Sequence, residues 1–273
     1  MKDRNYIINE QATAAAFNKQ APLFDNLYTA DTIIAYKRKR VRQHVLQYLQ
    51  PGSSILELNA GTGDDAIFFA RRGHTVHATD ISEKMLDLLS TKTKQLALHS
   101  SISHELRSYT DLDKLANKGP YDLVFSNFAG LNCTHELPKV LQSFDDLVKP
   151  GGYVTLVILP KFCLWEFLLL FKGKFKTAFR RLRGSSKAHI EGKFFRSSYY
   201  NPSFIREHLK DSFEMKSLEG LCTIVPPSYI QGFAEKHPKI YRSLAKKENK
   251  WKKTWPWKLI GDYYIITLQK NTG

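Results

Sequence analysis

The chain has 273 residues, 42% of them hydrophobic and 12% aromatic, which suits one large domain with a buried core and excludes a disordered chain. Its three cysteines, Cys133, Cys163 and Cys222, are odd in number and unpaired in spacing, which argues for a reducing compartment and against a disulfide framework or thiolate metal site. The net charge of +15 is uneven: residues 1–160 hold 18 Lys and Arg against 17 Asp and Glu, whereas residues 161–273 hold 23 against 9. A basic second part suggests contact with something anionic. The polar first twenty residues do not read as a secretory signal, and no run reaches the roughly 18 apolar residues of a membrane span, so a cytoplasmic protein is expected.

In chain order, residues 31–49 predict a helix, with Ile34, Val41, Val45 and Leu49 at helical spacing and Pro51-Gly52 ending it. Its charge run, Lys37-Arg38-Lys39-Arg40-Arg42, reads as a solvated face rather than a nucleic-acid site. Residues 54–60 form an apolar run that turns into Gly61-Thr62-Gly63, and residues 64–73 follow as a helix stopped by Gly73. Residues 74–80 alternate as a strand, and Ser82 is placed to cap the next helix. Residues 101–107 are a weaker strand and residues 121–128 a buried parallel one. Residues 137–149 read as a helix, and Pro150-Gly151-Gly152 feeds a fifth strand over 153–160. Strands alternating with helices of this length predict a parallel sheet covered on both faces.

After Pro160 the rhythm changes. Residues 163–183 predict an amphipathic helical stretch interrupted by Gly173, with Leu164, Leu168, Phe171, Phe175, Phe179 and Leu182 on one side and basic residues elsewhere. This reads first as a lid with a solvated basic face, and segment 164–183 also suits an anionic membrane surface. A helix over 201–213, a strand over 215–227, a basic helical stretch over 227–250 and a final strand over 262–270 complete the chain. The tryptophan- and lysine-rich segment 246–258 reads as packing against the cap or as a lipid- or base-facing surface.

The glycine turn carries the functional signal. Glycines between a strand and a helix let a ligand lie against main-chain N–H groups. Gly61-x-Gly63-x-x-Ala66 alone also satisfies the dinucleotide fingerprint. Asp64 and Asp65 in the first helical turn would repel a pyrophosphate, and Glu57 suits a cationic ligand. Asp80, 19 residues after Gly61, stands where a carboxylate reaches ribose hydroxyls.

With these residues in place, the sequence resembles the class I S-adenosylmethionine-dependent methyltransferase superfamily, of the small-molecule type. The resemblance covers roughly residues 17–160: ILELNAGTG for the cofactor turn, ATDIS for the ribose acid, YDLVFSNF for the fourth strand and LVKPGGYVTLVI for the fifth. AFNKQAPLFDNLY, containing Phe24 and Tyr28, resembles the N-terminal helix that folds over the cofactor. The resemblance implies a Rossmann-like α/β fold: a mostly parallel seven-stranded sheet, helices on both faces, and a helical, basic cap inserted after the fifth strand. It divides one domain into a helical cover (1–50), a cofactor-binding core (51–160), a lid or acceptor cap (161–200), and the remaining sheet with a basic helical insertion (201–273).

The resemblance also implies S-adenosylmethionine as cofactor. Gly61, Thr62 and Gly63 would lie along its amino-acid part, with Glu57 adding charge and Asn127 and Phe128 near the methionine portion. Asp80 would hold the ribose diol and Ile81 would pack on adenine. Two departures from the family pattern stand out. Asn59 replaces the first glycine, which asparagine's tolerance of left-handed backbone allows. The adenine-binding acid is replaced by Ser108-Tyr109.

Methyl transfer needs alignment and exclusion of water, with a base only where the acceptor must lose a proton. His135 and His189 are candidates for that base, each weighed against an ordinary surface histidine. His74 and His77 face opposite sides of their strand, and no metal site is expected. The expected partner is a small-molecule acceptor, lipophilic or anionic, and nucleic acid is not expected. An RNA-directed methyltransferase and a catalytically silent S-adenosylmethionine-binding protein are the alternatives.

Overall fold

A computed structural model describes residues 2–272, with side chains from residue 8 onward. The elements in chain order are helices α1 (Lys2–Thr29) and α2 (Thr32–Val45), then β1 (Ser54–Leu58), α3 (Asp64–Ala70), β2 (Thr75–Asp80), α4 (Glu83–Gln95), β3 (Ile102–Leu106) and β4 (Tyr121–Ser126). Helices α5 (Leu137–Gln142) and α6 (Phe144–Leu147) lead to β5 (Val148–Ile158), followed by α7 (Leu164–Phe167) and α8 (Phe175–Phe179). The chain closes with β6 (Ser185–Ile190), β7 (Lys193–Ser198), α9 (Pro202–Leu209), β8 (Phe213–Leu221), α10 (Phe233–Lys236), α11 (Pro238–Trp251) and β9 (Tyr263–Lys270).

Seven strands form one sheet in the order β3-β2-β1-β4-β5-β9-β8. The first five run parallel, and β9 pairs antiparallel with both β5 and β8. The sheet is mostly parallel and Rossmann-like, with a core on each face. Strand alternation divides the side chains: Leu56 of β1 and Val124 of β4 join one core with Val140, Leu141 and Ile205. Ile55, Leu123 and Phe125 join the other with Val41, Phe69 and Leu89. The reversal of strand order between β1 and β4 opens a crevice at the strand C-terminal ends, where open α/β sheets bind ligands.

Local chemistry sets the helix starts. Asp31 Oδ1 accepts the N–H groups of Ile33 and Ile34 at 2.8 and 2.9 Å, capping α2. Ser82 Oγ accepts Met85 N–H at 3.2 Å, which fixes the start of α4 as its position in the sequence predicts.

The cap departs from the expected long helix. Between Leu164 and Phe179 the chain forms α7, a 3₁₀ stretch over Leu168–Lys172 and α8, broken by Gly173 at φ +70. Residues 185–198, expected within a helical cap, are instead the hairpin β6–β7. The reason is in its turn: Glu191 and Gly192 adopt φ +47 and +78, the paired left-handed conformation of a two-residue hairpin loop. Other boundaries also move. β8 starts at Phe213 and ends at Leu221 rather than running to 227, and the basic stretch condenses into α10 and α11.

The basic run on α2 is the largest correction. Lys37 and Arg40 are buried, Arg38 and Arg42 nearly so, and only Lys39 of the five is exposed. Each of the four meets acids from elsewhere: Arg38 pairs with Asp64, Arg42 with Asp65, Arg40 with Glu219 and Glu248, and Lys37 faces Asp262. Charge counting along one helix cannot see partners that lie more than two hundred residues away.

Candidate active site

A cavity of about 400 Å³ occupies the crevice. The glycine turn forms its floor. Asn59 takes φ +50 and Gly61 φ +57, so the substituted first glycine keeps the left-handed turn. The Asn59 carboxamide bridges to the end of β4, donating to Asn127 O at 2.9 Å and accepting from Ser126 Oγ at 2.6 Å.

Asp80 ends β2 at the cavity edge. Its Oδ2 accepts Gly61 N–H and its Oδ1 accepts Ser82 N–H, both at 2.8 Å. Burial pushes its carboxyl above the usual range, and those backbone N–H groups oppose the rise. The remaining carboxylate lone pairs are available to a diol. Ile81, Met85 and Tyr109 line the wall beside it, an apolar slot for a flat ring.

Glu57 lies fully buried on β1, and burial first, then the neighbouring Asp65, pushes its carboxyl well above the ordinary value. Its buried Oε2 has no hydrogen-bond partner among the described residues, and Glu57 is part of the cavity lining. A buried carboxyl group without a partner beside a cavity fits a cationic ligand such as an ammonium. This is the feature that best matches S-adenosylmethionine.

Asp64 and Asp65 both face cationic side chains. Both were expected to repel a pyrophosphate, yet Asp65 Oδ1 accepts from Arg42 Nε at 2.5 Å and Asp64 pairs with Arg38 and with Lys92. Asp65 Oδ2 also accepts from Asn127 Nδ2 at 2.8 Å. Their charge is spent on holding α2 and β4 against α3, so Glu57 rather than this pair carries the electrostatic preference.

The structure gathers Phe24, Tyr28, Glu57, Asn59, Gly61, Thr62, Asp80, Ile81, Tyr109, Asn127 and Phe128 around the cavity. Gly63 does not border it. At φ +82, a Cβ there would stand 2.6 Å from Leu89 Cγ, so this glycine lets α3 and α4 pack closely. Ser108 also lies outside the lining and shares a 2.8 Å hydrogen bond with Thr110.

Neither histidine lines the cavity. His135 is exposed, with Nε2 3.5 Å from Glu136. His189 sits on β6 with its ring on Phe194, 4.5 Å between centroids. Its neighbours Ala188 and Ile190 face the cavity, and alternation along the strand turns His189 the other way.

Several lining residues escape sequence reasoning. Lys37 and Arg38 enter from α2, Thr13 and Phe17 from α1, and Phe195 and Ser197 from β7. The alternation of KAHIEGKFF around Glu191-Gly192 was the available signal for the hairpin. Cys133 also borders the cavity, its thiol pushed up to about 12 by burial and then by Asp80, which makes it inert.

One cluster has metal-ligand composition among the described residues: Cys163, Glu166 and Asp262. The Arg181 guanidinium already occupies it, with Nη2 2.6 Å from Glu166 and 2.7 Å from Asp262. It is an ion-pair knot that ties the cap to β9. No described helix is long and apolar enough to cross a membrane.

Residues 55–152 match the family described as "Methyltransferase domain". The chain is 26% identical over 227 residues to a demethylmenaquinone methyltransferase of Listeria welshimeri, covering 81% of this chain and 90% of that protein. Among solved structures, the [4+2]-cyclase SpnF superposes with a TM-score of 0.63 at 15% identity, covering 97% of this chain and 98% of that one. The Burkholderia thailandensis 1,6-didemethyltoxoflavin-N1-methyltransferase, with 1,6-didemethyltoxoflavin and S-adenosylhomocysteine bound, gives 0.58 at 14% identity over 96% and 88%. The matched methyltransferase domain and the related sequence support a class I S-adenosylmethionine-dependent methyltransferase with S-adenosylmethionine as its cofactor, and the solved structures share its fold.

Proposed function

We propose that the enzyme methylates a small lipophilic acceptor enclosed between the crevice and the cap. The carrying observation is the apolar part of the cavity lining, which includes Phe17 of α1, Phe128, Leu159, Ile190 of β6 and Phe195 of β7. A mostly apolar wall favours an apolar acceptor body and keeps water from the reacting atoms. The relative named for demethylmenaquinone and the neighbour named for 1,6-didemethyltoxoflavin support a small-molecule acceptor.

In this reading, residues 51–160 hold the cofactor and residues 161–200 cover the acceptor. Glu57 faces the cofactor's ammonium, Asp80 its ribose diol, and Ile81 with Tyr109 its adenine. Asn127, fixed by its bond to Asp65, holds the methionine portion from the β4 side. Bound S-adenosylmethionine supplies an electrophilic methyl on a sulfonium. The chain's own contribution is alignment of acceptor and methyl along one line, with Phe24 and Tyr28 of α1 closing the site against water.

The cap also gives the protein a reason to rest on an anionic lipid surface. Phe171 is 85% exposed and Phe175 62%, and both stand among exposed Lys172, Lys174 and Lys176. Exposed aromatic rings ringed by ammonium groups suit a headgroup layer. Flotation with phosphatidylglycerol vesicles should capture the protein, phosphatidylcholine vesicles should not, and F171S/F175S should abolish capture.

The acceptor class is tested by incubating the protein with methyl-labelled S-adenosylmethionine and a cell extract separated into lipid, polar and RNA fractions. Label in the lipid fraction supports the reading. Label confined to RNA, with steeply salt-dependent RNA binding, overturns it.

A further inference from the structure

The cavity contains a cation that the chain itself leaves incompletely paired. Lys37 is 3% exposed, and its ammonium has three N–H donors. Its hydrogen bond to Ser228 Oγ is long, at 3.3 Å, and the Asp262 carboxylate stands 3.8 Å away. That carboxylate is already engaged by Arg181 Nη2 at 2.7 Å. The rings of Tyr263 and Phe128 lie 4.8 and 5.8 Å from Nζ, close enough for cation–π attraction. One long hydrogen bond and one distant carboxylate leave N–H donors of this ammonium free to meet a ligand atom.

Its surroundings keep it charged. Tyr28 stands near it on α1, Asp31 before α2, Cys222 after β8, and Asp262 and Tyr263 at the start of β9. Burial works against the charge, and Tyr263, Asp262, Cys222 and Asp31 together outweigh it, raising the ammonium's pKa above its ordinary value.

Position separates this cation from the cofactor's ribose end. In the sheet order, β9 lies four strands from β2, which carries Asp80. At the usual spacing of about 4.8 Å per strand this is about 19 Å across the sheet. Arg38, by contrast, pairs with Asp64 beside the glycine turn. Lys37, whose Nζ stands between the rings of Phe128 after β4 and Tyr263 at the start of β9, is therefore on the β4–β9 side of the crevice.

We propose that Lys37 anchors an ionised oxygen of the acceptor, so that the acceptor is a phenol or enol bound as its oxyanion with its apolar body against Phe128. This deepens, and rests on, the reading of a small lipophilic acceptor. The acceptor's proton leaves to water on ionisation. The electron pair of the oxyanion, or of a carbon conjugated with it, then forms the bond to the methyl group. The carbon–sulfur bond breaks as it forms and its electron pair stays on sulfur, giving a neutral thioether and a neutral methylated product. A nearby ammonium lowers the acceptor's pKa and so raises the reactive fraction at neutral pH.

The test uses 4-nitrophenol, whose ionisation is read from its phenolate absorbance, with protein saturated in S-adenosylhomocysteine. Wild type should lower the bound probe's ionisation midpoint by about one to two pH units. K37R should keep the effect, and K37M, which preserves bulk, should lose it while binding S-adenosylhomocysteine within twofold of wild type. Equal depression in K37M overturns the proposal, as does failure of wild type to take up the phenolate. A tenfold loss of S-adenosylhomocysteine affinity in K37M also overturns it, because the ammonium would then serve the cofactor's carboxylate. None of these readouts needs turnover, so the proposal can fail while labelling of the lipid fraction succeeds.

Discussion

Asn59 occupies the space that a side chain on Gly130 would need. A Cβ built on Gly130 overlaps the Asn59 carboxamide, and that carboxamide is what joins the glycine turn to the end of β4. The loop after β4 and the cofactor turn are thus fitted to each other. G130A should displace Asn59, break its bonds to Ser126 and Asn127, and destabilise the fold by about 1–3 kcal/mol. It should also weaken S-adenosylhomocysteine binding. N59G removes the clash and suits φ +50, so the double variant should be no less stable than N59G alone. Denaturant titration of the four proteins checks this, and additive losses would refute the fit.

Glu57 gives the cofactor site a pH dependence with a definite sign. Burial and Asp65 raise its carboxyl pKa, so it is protonated over a wider acidic range than an exposed glutamate. A cationic ligand favours the ionised form, and affinity for S-adenosylhomocysteine should therefore rise as pH increases through that raised value. E57Q should bind at least tenfold more weakly at neutral pH and lose most of this slope. Calorimetry across pH 5 to 8 measures both; an E57Q affinity equal to wild type at every pH would remove Glu57 from the site.

Much of the core was legible because its signals are local. ILELNAGTG places a strand, a left-handed turn and a helix start in one stretch, and Asp80 follows at a fixed distance along the chain. Asn59 behaves as its conformational tolerance predicts. What was hidden depends on distant partners. Lys37 and Arg40 look like surface charges until Asp262, Glu219 and Glu248 arrive from the far end of the chain. The cap's apolar spacing suggested one helix, yet Gly173 and the Glu191-Gly192 turn divide it into short helices and a hairpin.

That hairpin decides which side chains face the cavity. Ile190 lines the cavity while His189 stacks on Phe194 away from it, and His135 is exposed beside Glu136. H135A and H189A should each keep turnover within about threefold of wild type, far less than the 10²–10⁴-fold loss expected on removing a general base. I190D, which puts a charge into the apolar wall, should raise the acceptor KM at least tenfold with cofactor affinity unchanged. Steady-state kinetics on the acceptor found by labelling separates these outcomes. A hundredfold fall in kcat for either histidine variant would restore that residue as the base.

The buried ion cluster behind the site should make the fold acid-labile. Arg40 contacts Glu219 and Glu248 at 3.4 Å each, and Glu219 also meets His44 at 3.1 Å and Lys252 at 3.0 Å. Glu248 accepts the backbone N–H groups of Cys222, Thr223, Ile224 and Val225, tying α11 to the loop after β8. Burial alone would raise the Glu219 pKa, but hydrogen bonds and charge from His44 and Lys252 hold it well below the ordinary value. A depressed carboxylate stabilises the fold above the unfolded-state value of about 4.3 and loses that contribution as pH falls further toward its own pKa. Wild type should therefore lose thermal stability steeply below about pH 4.3, and E219Q should lose it less steeply from a lower starting point. R40M at neutral pH leaves two buried carboxylates short of a partner and should cost about 3–5 kcal/mol. Thermal melts from pH 3 to 7 decide the matter: parallel curves for wild type and E219Q would mean that Glu219 is not the group whose protonation loosens the fold.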